Sequence, residues 1–163
     1  MMKNIHSLIT IAFITCAACA QQTESEVKAK EPSNLNYTTE VVVSDINSPW
    51  GMTFLPDNSM LITEKSGELI HFKDGNKTMI EGLPEIYTRG QGGLLDIELH
   101  PDYKNNGWIY LSHGSEQGEG DGGNTAITRA KLNGNTLVEK QLLYKAEGNT
   151  KKGQHWGSRI EFD

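Results

Sequence analysis

Cysteine is nearly absent: the 163 residues hold only two, Cys16 and Cys19, and both fall within the first twenty positions. The chain beyond them has no disulfide, no thiol nucleophile and no thiolate to hold a metal, so its stability must come from packing. Positive charge is also thin. Fifteen Lys and Arg face 21 Asp and Glu, a formal net charge of −6. They form no basic cluster that could serve as a nucleic-acid face, and Lys151-Lys152 reads as a solvated loop. No apolar run reaches the ~20 residues needed to cross a bilayer. No window keeps a helical period over a useful length. A nucleophile elbow, a P-loop and a dinucleotide fingerprint are all missing.

The first twenty residues have the layout of an export signal: a positive Lys3, the uncharged apolar stretch from Leu8 to Ala18, small residues, then the polar pair Gln21-Gln22. Two cleavage sites compete. Ala18-Cys19-Ala20 fits the small-x-small box of ordinary signal peptidase. Ala17-Ala18-Cys19 is similar to a bacterial lipobox, in which Cys19 would carry the lipid, although Cys16 stands where leucine is usual. A polar tether from Gln21 to Asn34 follows, with almost nothing large and apolar to bury, which favours the lipoprotein. The expected organisation is a signal over 1–20, a disordered tether over 21–36 and a folded part over 37–163. The expected location is the periplasm, or the outer membrane through the lipid on Cys19.

What the chain has in abundance is short strands and turns. It holds 17 Gly. Strand patterns run from the β-branched Val41-Val42-Val43 through Met52–Leu55, Met60–Thr63 and Leu69–Phe72. Turn signals at Pro56-Asp57-Asn58, Ser66-Gly67 and Asp74-Gly75-Asn76 separate them. A second series follows at Leu94–Leu99, Trp108–Ser112, Thr125–Leu132 and Leu137–Tyr144. It is divided at Pro101-Asp102, Asn105-Asn106-Gly107 and Asn133-Gly134-Asn135. The fold is expected to be all-β. Gly51–Asp57 is echoed by Gly93–Asp102, and a third copy opens at Gly157–Asp163. Repetition at ~40–50 residues per unit is the texture of a β-propeller of four-stranded antiparallel blades; a sandwich with chance likeness between strands is the alternative. A propeller needs at least four blades, and this length offers about two and the start of a third. The chain is therefore expected to be an N-terminal piece.

Two glycine-flanked polar clusters stand at strand entrances, Arg89–Gly93 and Gly153–Arg159. Strand entrances of a propeller crowd around one end of its channel, and the repeat sets Gln91 and His155 at similar points of successive blades. His155 has the chemistry of a general base near neutrality, or it bonds a loop carbonyl. Gln91 could orient a hydroxyl or tie down its glycine loop. Arg89 and Arg159 could receive an anion or bridge blades through carboxylates. Glu119 and Asp121 lack the regular oxygen spacing of a calcium loop and read as a mobile connection. His100 and His113 read as structural, and Asp96 and Glu98 lie on a strand.

These stretches together resemble the glucose/sorbosone dehydrogenase family, soluble aldose dehydrogenases that use pyrroloquinoline quinone on a six-bladed propeller. The likeness runs from about Thr39 to Asp163 and is carried by Pro49–Asp57, Leu61–Glu64, Gly82–Asp96, Leu99–Tyr103, Trp108–Ser112 and His155–Arg159. It implies that His155 takes the proton of the sugar's anomeric hydroxyl while the C1 hydride passes to the quinone, giving a lactone. It implies that Gln91 lines the substrate pocket and that Arg159 is structural. Gln154 replaces the aspartate that precedes the histidine in glucose-oxidising members, and Trp156 resembles the broad-specificity aldose branch. No metal ligand is expected in this stretch. The quinone-binding basic residues and the calcium ligands are expected beyond residue 163, so the piece alone should be inactive. A non-catalytic binding propeller and a propeller lactone hydrolase are the alternatives. The expected partners are an aldose and an electron acceptor of unknown identity.

Overall fold

The computed structural model describes residues 36–163. The signal over 1–20, Cys19 and nearly all of the tether lie outside the described residues. Glu40–Asp163 forms one compact unit built of two four-stranded antiparallel sheets in sequential order. The first blade comprises β1 (Pro49–Phe54), β2 (Met60–Glu64), β3 (Glu68–Lys73) and β4 (Asn76–Met79). The second comprises β5 (Leu94–Leu99), β6 (Trp108–Ser115), β7 (Asn124–Asn133) and β8 (Thr136–Lys145). These are successive blades of a β-propeller.

The blades repeat residue for residue in their first hairpin. Pro49 faces Glu64, then the ladder slips and resumes with Met52 opposite Ile62. Leu94 faces His113, slips in the same way, and resumes with Ile97 opposite Leu111. Two residues oppose one at each slip, which is a β-bulge. The hydroxyl opposite the bulge does the same work in both blades. Thr63 Oγ1 accepts the Gly51 N–H at 2.9 Å, and Ser112 Oγ accepts the Asp96 N–H at 3.0 Å. Each hydroxyl also donates forward along the chain, Thr63 to the Leu95 carbonyl of the second blade and Ser112 to the Ser158 carbonyl at 2.6 Å. The structural repeat therefore aligns Pro56-Asp57 with Pro101-Asp102 and Gly51 with Asp96, three residues away from the Gly51–Gly93 match that the sequence suggests. At Gly51 a Cβ would stand 2.9 Å from Asp96 Oδ1, so glycine lets the neighbouring blade close in.

Two further expectations are corrected. Val41–Val43 joins no ladder. Asp45 takes a left-handed backbone (φ 53°) that turns the segment, and Val43 and Ile46 pack on Met60, Ile62 and Ile70 instead. The turn signals between β5 and β6 enclose a one-turn helix, α1 (Tyr103–Asn106), that ends on Gly107 in the left-handed region. Four residues are too few to leave a helical period in a sequence. The third copy, Gly157–Asp163, lies where a third blade would begin and pairs with no strand among the described residues. It lies along the second blade through Ser112 and through Ile160 N–H to Asp96 Oδ2 (2.8 Å), and it reaches the first blade where Trp50 Nε1 of β1 donates to Ser158 Oγ (2.7 Å). β4 was not foreseen, because Asn76-Lys77-Thr78 is polar; the Asp74-Gly75 turn (φ 50° and 77°) folds it back onto β3.

One apolar core spans both blades. Leu55, Leu61, Leu69 and Ile80 meet Leu94, Ile97, Ile109, Leu111 and Leu137. Each such fully buried side chain contributes about 1.5–3 kcal/mol, enough to make the pair of sheets a single body.

Candidate functional site

The loops that enter β5 and the third copy meet at one place. Gln91 N–H donates to the Gly153 carbonyl at 2.8 Å, and Gly92 N–H closes a turn on the Arg89 carbonyl, also at 2.8 Å. Gln91 Oε1 accepts the backbone N–H of His155 at 3.0 Å. The two clusters read from the sequence are therefore joined directly. That bond fixes the amide of Gln91: its oxygen is engaged by the loop, and its two N–H donors remain on the other side. His155 itself has φ 62° and an exposed side chain. Counting back from the carbonyls that accept the inter-blade hydroxyls, Gln91 aligns with Gln154 rather than with His155, a difference of one position. Gln154 is exposed.

Trp156 lies half-buried beneath this loop pair, near Tyr87 with ring centroids 5.9 Å apart. Arg159 reaches Asp96 Oδ1 at 3.6 Å with a side chain 74% exposed, so it bridges the second blade to the following segment. Arg89 and Lys65 line a polar cleft of about 280 Å³ beside Gly90 and Gly92. A larger cavity of about 730 Å³ lies elsewhere, on the outer face of the first blade, with Met52, Phe54, Ile62 and Phe72 along it. Its apolar walls suit packing rather than chemistry.

The other candidates settle into the framework. The Glu119–Asp121 loop is tied down: Asp121 pairs with Lys151 at 2.8 Å, and Asn149 Nδ2 donates to the carbonyls of Glu116, Gln117 and Gly120. His100 Nδ1 accepts the Asp102 N–H at 2.9 Å and holds the start of α1. His113 is fully buried. Its Nδ1 donates to the Gly114 carbonyl, leaving Nε2 to accept the Thr128 hydroxyl, both at 2.9 Å. Desolvation pushes its pKa down. Glu98 is pushed up, chiefly by burial. Sequence reasoning missed Glu64, a buried carboxylate at the register position of His113. The hydrogen bond it shares with Glu68, with the N–H groups of Asn47 and Ser48, holds it below the usual carboxylate range, and Glu68 is raised in turn. No spacing rule announces such a pair; it arises from the β2–β3 register, in which Glu64 faces Glu68.

This is a two-blade propeller segment with a glutamine and a histidine brought together at its strand entrances. Residues 46–163 match the family model for glucose / sorbosone dehydrogenase, and the chain belongs to that family. It is 34% identical over 137 residues to the aldose sugar dehydrogenase YliI of Escherichia coli, covering 81% of this chain and 36% of the relative. It is 26% identical over 157 residues to quinoprotein glucose dehydrogenase B of Acinetobacter calcoaceticus, covering 93% and 31%. The crystal structure of the soluble aldose sugar dehydrogenase from Escherichia coli in its apo form superposes with a TM-score of 0.66 at 34% identity, over 72% of this chain and 35% of that one. The PQQ-bound aldose sugar dehydrogenase of Streptomyces coelicolor gives 0.56 at 27% identity, over 66% and 33%. The chain thus spans about a third of the length of the relatives it matches.

Proposed function

We propose that the chain is part of a pyrroloquinoline-quinone-dependent aldose dehydrogenase with His155 as its general base. The observation that carries this reading is the bond from His155 N–H to Gln91 Oε1, which joins the two clusters that the family resemblance assigns to catalysis and substrate binding. Among the described residues no group of three or more His, Cys, Asp or Glu could hold a divalent cation. The cations near the site, Lys65 and Arg89, line a cleft of their own. The residues present fit the substrate end of such a site.

The chemistry of this chain's residues is proton removal and orientation. The His155 imidazole takes the proton of the C1 hydroxyl as the C1–H bond breaks and the lactone carbonyl forms. The Gln91 amide donates to a sugar oxygen. A bound quinone would accept the hydride. A base so placed contributes on the order of 10²–10⁴ in rate.

The test uses the gene product extended to the length of its relatives, supplied with pyrroloquinoline quinone and calcium. Dye reduction by an aldose panel that His155→Ala lowers by 10² or more is the expected result. A folded protein that binds no quinone would overturn it in favour of a binding propeller. Export with a lipid on Cys19 belongs to the same reading. Cys19→Ala should release the protein from the membrane fraction, and an unlipidated secreted wild type would refute the anchor.

A further inference from the structure

We propose that Trp156 is a positioning residue for His155, an aromatic wedge that holds the base in its left-handed backbone conformation. The inference rests on His155 being the base. A non-glycine residue at φ 62° costs on the order of 1–3 kcal/mol and persists only where its surroundings over-determine it. Three restraints surround His155. Before Trp156, the His155 N–H is held by Gln91 Oε1; after it, the Gly157 N–H is held by Thr125 Oγ1 at 3.2 Å. Between them the indole fills a slot made by two missing side chains. A Cβ on Gly92 would stand 2.7 Å from Trp156 Cε2, and one on Gly114 would stand 3.2 Å from Cζ3. Tyr87, whose N–H donates to the Gly114 carbonyl at 2.9 Å, sits near the indole at the same place.

The slot is formed from both partners of the site, since Gly92 follows Gln91 directly and Trp156 follows His155 directly. The indole thereby sets the distance between the two loops. Its Nε1 is buried without a hydrogen-bond partner. A buried donor left unpaired is unfavourable, so shape rather than hydrogen bonding keeps the residue there. Phenylalanine should therefore substitute for it, and alanine should not.

The experiment has two arms in the gene product of full family length. In the cofactor-free protein, hydrogen exchange at the His155 amide is compared among wild type, Trp156→Phe, Trp156→Ala and Gly92→Ala. The alanine variants should exchange about tenfold faster or more at this amide while core amides keep their protection; Trp156→Phe should stay near wild type. In the loaded enzyme, Trp156→Ala should lower kcat by about 10²-fold with little change in KM, and should lower it no further in a His155→Ala background. Unchanged exchange at His155, or an equal loss in both backgrounds, would overturn the proposal. A wild type without quinone-dependent activity would sink the dehydrogenase reading, and the exchange arm would still decide whether Trp156 holds the loop.

Discussion

The two blades have the same first hairpin and bury different chemistry at one point of it. Where the first blade ends β2 with the carboxylate of Glu64, the second carries the imidazole of His113. Glu64 keeps its charge by sharing a hydrogen bond with Glu68 and accepting backbone N–H groups. His113 gives up its charge and bonds as a neutral ring between a carbonyl and a hydroxyl. Backbone register is thus a property of the repeat, while the polar group it buries is free to differ so long as each finds partners.

The strongest way to break the comparison is to empty the shared core. Leu61→Ala and Leu111→Ala should each cost about 2–5 kcal/mol, and denaturant unfolding followed at Trp50 and at Trp108 should shift together in both variants. Two separated transitions would show that the blades are independent bodies. Next come the forward-facing hydroxyls. Thr63→Val strands the Gly51 N–H and the Leu95 carbonyl and should cost about 1–3 kcal/mol. Ser112→Ala strands the buried Asp96 N–H and frees the half-buried Ser158 carbonyl, so it should cost a similar amount; a cost near zero would show that the hydroxyls of the two blades are not equivalent.

Acid should separate the blades further. His113 has a folded pKa below its ordinary 6.5, so the unfolded chain binds the proton first. Stability is then complete above pH 6.5 and falls as pH drops below it, by up to about 1.4 kcal/mol per pH unit for one proton. Glu64 contributes stability that is lost only below its ordinary 4.5, and the raised Glu68 acts in the opposite sense. A stability profile between pH 7 and 5.5 should flatten in His113→Gln; an unchanged slope would place the titration elsewhere. The smallest effect should be Arg159→Ala, below about 1 kcal/mol by thermal melting, since the arginine is 74% exposed over Asp96.

Much of this was readable before folding. Alternation and turn residues announced seven of the eight strands, because a half-buried strand must alternate and a hairpin needs its turn chemistry. Arg89–Gly93 and Gly153–Arg159 stood out because glycines beside polar side chains at strand entrances mark loops that approach one another closely at one end of a propeller's channel. The sequence did not show the repeat's true phase. Gly51 and Gly93 look alike, yet the bulge and the Pro-Asp turns set the alignment, and a bulge is a relation between two strands. Nor did it show that Trp156 fills the space above Gly92 and Gly114, which lie 64 and 42 positions away from it, for the same reason: a slot is made of absences on another segment.

The forward-facing hydroxyls also carry a direction in time. Thr63 waits for a carbonyl 32 residues later, and Ser112 for one 46 residues later. At a synthesis rate of about 5–20 residues per second, roughly 2–9 s separate each hydroxyl from the acceptor in the following segment. The chain should therefore close like a zip from its N-terminal end, each finished hairpin acting as the template on which the next first strand is laid.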